Sequence, residues 1–180
     1  HGTQVAGLSS ARVNNTLGIA GSGYNVKFIP IKVCNKSGSM TMTYESIVYA
    51  ADHGCHIINC SWGGTSGDLF GQDIVNYAVF NHDALVVAAA GNANNNISYY
   101  PASLENVISV AGTTDADEKW SPSNTGTKSG SSWGNFVDVS APGTNLTSTK
   151  PVNSYGLIYG GTSFSCPIVA GCAGLIKSKF

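Results

Sequence analysis

Charge is what this sequence has least of. Charged side chains are 11% of the 180 residues, well under the usual quarter, and they leave a net charge of only -1. That balance removes the electrostatic basis for binding nucleic acid or an anionic membrane. No apolar run approaches the about 18 residues that span a bilayer; the longest, residues 84–90, is strand-sized. The chain shows neither an initiator Met nor a secretory leader at its front. No CxxC pair and no HExxH occurs, so neither zinc-ribbon nor helix-borne zinc chemistry is indicated, and no metal ligands are assigned. The five cysteines, Cys34, Cys55, Cys60, Cys166 and Cys172, are odd in number and widely spaced, so they read as small buried thiols rather than a disulfide framework. Internal repeats and long linkers are absent as well, which leaves one domain over residues 1–180.

What is present fits a globular domain with a substantial core. Hydrophobic residues make up 42%, and the polarity comes from Ser, Thr, Asn and 22 glycines. Short β-branched runs alternate with helical spacing. Residues 1–7, "HGTQVAG", read as a tight start to a helix. Residues 26–33, "VKFIPIKV", read as a strand, with Pro30 pointing to an edge position. Tyr44, Ile47, Val48 and Ala51 recur at helical spacing over 44–53, and Gly54 ends that helix. Strands follow at 57–60, 85–90, 107–111 and 136–139. A helix covers 68–81, weakened by Gly71. A hairpin turn falls at 151–154, and an apolar helix runs from Ser163 to about Lys177. Strands alternating with helices, and continuously apolar, predict an α/β fold: three layers, with a mostly parallel central sheet flanked by helices. In such sheets functional residues gather beyond the carboxyl ends of the strands.

Three stretches carry the candidate chemistry. His1 heads the first. In the second, "VVAAAGN" (86–92), a buried strand passes through Gly91 and ends on Asn92, whose amide is either a turn residue or a donor poised above the sheet. In the third, "GGTSFSCPIVAG" (160–171), Ser163 stands at a helix N-terminus, as a cap or as a nucleophile beside free amides. Pro167 is expected within the first helical turn, where a missing N–H is harmless.

Taken together and in order, "HGTQVAG", "AAAGN" and "GTSFSCPIVAG" resemble the subtilisin-like serine proteases, the subtilases. "INCSWGG", "NVISVAGT" and "VDVSAPG" extend the resemblance over essentially the whole chain. The resemblance implies a serine endopeptidase acting through an acyl-enzyme, with no required cofactor. It implies His1 as general base, Ser163 as nucleophile, and Asn92 as oxyanion donor together with the Ser163 amide. It implies that Ser61, Trp62 and Gly63 pair with the substrate backbone. Ala89, Ala90 and Gly91 would wall the pocket for the residue before the cut, their small size leaving room for a large apolar side chain. Trp62, where leucine is usual, either narrows a subsite or fills core.

The family's triad also needs an aspartate before the histidine, and nothing precedes His1. Asp52, Asp83, Asp115, Asp117 and Asp138 offer no credible replacement. The expectation is a partial peptidase domain, truncated at both ends and inactive as a fragment. Residues 13–19 resemble a calcium loop of many relatives, with a plain polar surface loop as the alternative. The expected partner is a polypeptide substrate, and the expected state a secreted monomer. The rival readings are a catalytically dead subtilase-fold module that binds peptides, and a copper site at a genuine N-terminal His1.

Overall fold

The computed structural model describes residues 1–67, 69–126 and 128–180, so Asp68, the first residue of the helix expected over 68–81, lies outside the described residues. Strands β1 (Ile57–Cys60), β2 (Leu85–Ala89), β3 (Val107–Thr113) and β4 (Val139–Pro142) form one parallel sheet in that order. The strand expected at 136–139 therefore begins where that span ends.

β2 shows why its sequence is apolar without a break. Val86 and Ala88 face one core, with Ile47, Ala51, Val75 and Ala78; Val87 and Ala89 face the other, with Val110, Cys166 and Ala170. Successive strand side chains point to opposite faces, and both faces are covered. Helix α1 (Gly2–Ser10) opens the chain. α2 (Thr43–Asp52) and α3 (Leu69–Asn76), the latter continued by a π-helical turn over Tyr77–Asn81, cover one face. A single short turn, α4 (Pro122–Thr125), precedes β4. The long α5 (Thr162–Lys177) covers the other face. Gly71, unfavourable in a helix by propensity, is where the Tyr44 ring packs: a Cβ there would lie 2.6 Å from the ring.

α1 is seated by a hairpin, β5 (Leu146–Lys150) and β6 (Ser154–Ile158), whose turn includes Val152 and Asn153 at positive φ. Ser148 Oγ donates to the Gln4 carbonyl at 2.6 Å and Thr149 Oγ1 to the Thr3 carbonyl at 2.7 Å. Leu8, Ile158 and Phe164 close a third core cluster between α1, β6 and α5. His1 is thereby carried on a helix fixed to the hairpin on one side and α5 on the other.

The strand expected over 26–33 is not formed. Residues 27–32 make no backbone hydrogen bond among the described residues, and Phe28 and Ile29 are exposed. Pro30 cannot donate to a ladder, and no strand stands beside this segment to receive the other donors. Between it, β1, α1 and α5 lies a groove of about 1230 Å³.

Candidate active site

Three loop ends meet at one end of that groove. His1, Asn92 and Ser163 all line it, as do Ser61, Trp62, Gly63, Ala89 and Gly91. Ala90 does not: it is wholly buried, and its N–H donates to the Val110 carbonyl at 3.0 Å.

Ser163 is the second residue of α5, after an N-cap at Gly161. It is therefore not a cap. Its own N–H belongs to the first turn, where backbone donors have no intrahelical acceptor and the helix dipole favours negative charge. Pro167 is the sixth residue of the helix, beyond the first turn, so the expected reason for its tolerance does not hold. The observed reason is more specific. An N–H at position 167 would bond the Ser163 carbonyl; without it that carbonyl accepts from Ser61 Oγ at 2.8 Å. Ser163 Oγ in turn donates to the Ser61 carbonyl at 3.2 Å, and Asn59 Nδ2 donates to Ser61 Oγ at 2.9 Å. A proline in the helix thus ties the nucleophile candidate to the segment after β1.

Asn92 is fixed by a residue that sequence reasoning left without a role. Its Oδ1 accepts from Thr162 N–H at 2.9 Å and from Thr162 Oγ1 at 2.8 Å, while Thr162 Oγ1 accepts from Gly91 N–H at 3.2 Å. Two donors from Thr162 decide which side of the amide is oxygen, so Nδ2 is left to face the groove. Thr162 is fully buried. The only signal for it in the sequence is its place directly before Ser163.

His1 is exposed, and its ring lies 5.4 Å from the Phe164 ring, tilted by 49°. No hydrogen bond joins it to Ser163, and no carboxylate bonds it, among the described residues. Asp52 accepts from Tyr77 at 2.7 Å, Asp83 pairs with Lys177 at 2.9 Å, and Asp138 accepts from Ser109 N–H at 2.8 Å.

Trp62 fills core, as one of its two expected roles has it, and its place on the groove leaves the other open. It packs against the main core, meets Tyr44 edge-to-face at 5.9 Å, and lines the groove. Behind Ala89, Ala90 and Gly91, where a pocket is expected, the Tyr99 ring lies against the glycines. A Cβ on Gly63 would lie 2.7 Å from Tyr99 Cε1, and one on Gly91 would lie 3.1 Å from Tyr99 Cγ. The glycines accommodate one tyrosine ring between the segment after β1 and the end of β2.

Two thiols lie under this site. Burial pushes Cys60 up to about 12 and holds Cys166 well above its ordinary value; Cys166 Sγ donates to the Val87 carbonyl at 3.3 Å. Among the described residues no group of three or more His, Cys, Asp or Glu could hold a metal ion. The loop over 12–20 encloses about 250 Å³. It carries no carboxylate, Arg12 borders it, and Asn15 Oδ1 already accepts from Leu17 N–H at 3.1 Å. Calcium is held by carboxylate or carbonyl oxygens, and this loop by itself offers no carboxylate.

Residues 1–180 match the subtilase family along their whole length. The chain is 44% identical to thermitase of Thermoactinomyces vulgaris, over 99% of this chain and 61% of the relative. It is 38% identical to an extracellular protease of Xanthomonas campestris, over 99% of this chain and 32% of the relative. A solved protease from Pseudoalteromonas arctica superposes with a TM-score of 0.85 at 31% identity, covering 97% of this chain and 57% of that one. The chain thus spans about a third to three-fifths of the length of these relatives.

Proposed function

Because the chain belongs to the subtilase family, we propose that the protein carrying it is a serine endopeptidase in which Ser163, His1 and Asn92 do the chemistry. The supporting observation is the lock on Asn92. With Oδ1 held by Thr162, the amide N–H₂ faces the groove beside the N-terminus of α5. Ser163 Oγ attacks the scissile carbonyl carbon while the His1 imidazole takes its proton. The carbonyl oxygen becomes an oxyanion between Asn92 Nδ2 and the Ser163 N–H. The C–N bond then breaks, His1 returns the proton to the leaving amine, and an acyl-enzyme remains for water to hydrolyse. For the first step Ser163 Oγ must leave the Ser61 carbonyl, a rotation about one side-chain bond. Such contacts are commonly loose before substrate arrives.

The substrate class is polypeptide, recognised through the backbone at Ser61–Gly63. The extracellular setting follows the relative named as an extracellular protease, and no helix among the described residues is long and apolar enough to cross a membrane. A fluorophosphonate probe on the folded protein is expected to label Ser163 and to leave Ser163→Ala unlabelled. A folded protein that takes no label, yet still binds peptides, would establish the module reading instead.

A further inference from the structure

We propose that Tyr99 closes the pocket for the residue before the cleaved bond, restricting that residue to small side chains such as Gly, Ala or Ser. The inference rests on the protease reading above and concerns its specificity. The sequence points the other way: Ala89, Ala90 and Gly91 are small and suggest an open pocket. The ring that fills the gap comes from a segment bearing no motif.

Tyr99 is half-buried and lines the groove with Gly63, Gly91 and Ser163. Its ring reaches both walls at once. An added Cβ on Gly63 would meet Cε1 at 2.7 Å and Cδ1 at 2.8 Å; one on Gly91 would meet Cγ at 3.1 Å and Cδ1 at 3.3 Å. A single ring therefore bridges the two segments that would grip the substrate on either side of its side chain.

The backbone bearing the ring is also held. Tyr99 N–H donates to Ser103 Oγ at 3.0 Å, and the Tyr99 carbonyl accepts from Ser103 N–H at 2.8 Å. The next residue pairs with the edge segment itself: Tyr100 N–H donates to the Gly64 carbonyl at 2.7 Å, and Gly64 N–H donates to the Tyr100 carbonyl at 2.9 Å. Tyr99 is thus anchored to the wall it packs against.

The test uses two p-nitroanilide tetrapeptides that differ only in an Ala or a Phe before the cleaved bond. The native protein is expected to favour Ala in kcat/KM by at least about tenfold, the low end of what one pocket mismatch gives. Tyr99→Gly is expected to shift the Phe/Ala ratio upward by about 100-fold. Tyr99→Ser serves as the second variant, and circular dichroism confirms that each is folded. Equal cleavage of both substrates by the native protein overturns the proposal, as does an unchanged ratio in a folded variant. Failure of the protease reading is distinct: neither substrate is cut and Ser163 takes no fluorophosphonate, which overturns both.

Discussion

Thr162 serves the site through one hydroxyl with two duties, accepting from Gly91 N–H and donating to Asn92. Valine matches its shape and lacks both. Thr162→Val is expected to leave the buried Gly91 N–H unpaired, at about 1–3 kcal/mol of stability. Asn92, then held by the Thr162 N–H alone, is less fixed, which is expected to lower kcat by about 10–100-fold with KM little changed. Thr162→Ser keeps the hydroxyl and should restore most of kcat, which separates positioning from packing. Asn92→Ala removes the donor itself and is expected to lower kcat by about 10²–10³, the loss found when a subtilisin-type enzyme loses its oxyanion amide. Steady-state kinetics on one peptide anilide measures all three.

At the scale of elements, the base candidate depends on how α1 is seated. Two hydroxyls from β5 bond α1 carbonyls, and Gly7 lets the helix lie against them: a Cβ there would run into Ser148 and Thr149. Gly7→Val is expected to push α1 off the hairpin, costing about 1–3 kcal/mol as overpacking does. For a chain of this length that lowers Tm by about 2–4 °C per kcal/mol, readable by thermal melting. Because His1 rides on α1, kcat should fall in the same variant. α5 shows the complementary arrangement. Its Pro167 breaks one helical bond, and that vacancy is what Ser61 uses to reach Ser163.

For the molecule as a whole, the buried thiols predict the response to alkali. Folding raises Cys60 from 9.0 to about 12, and burial likewise raises Cys166. Between those values the unfolded chain loses a proton that the folded one keeps. The unfolded state therefore binds fewer protons, and stability falls as pH rises above 9. Cys60 contributes a slope of about 1.4 kcal/mol per pH unit over that window, with no effect below it, and Cys166 adds in the same direction. Urea unfolding of Cys60→Ala against the native protein, from pH 8 to 11, should show the shallower slope in the variant. Iodoacetamide should modify the exposed Cys172 in the folded protein, and reach Cys60 and Cys166 only after unfolding.

Local order was written in the sequence. Unbroken apolar runs placed β1, β2 and α5, and helical spacing placed α2, because each rests on residues close along the chain. The motifs placed His1, Asn92 and Ser163 at strand and helix ends, where a parallel sheet collects its chemistry. The segment at 26–33 has the apolar pattern of a strand and forms none, since a strand is defined by its neighbour and pattern supplies only half of the pair. The rest of the site consists of contacts across great sequence distance. Thr162 meets Asn92 70 residues away, and Ser61 meets Ser163 across 102. Tyr99 fills a slot between glycines at 63 and 91. No local periodicity encodes such meetings; they exist only once the sheet has brought its loop ends together.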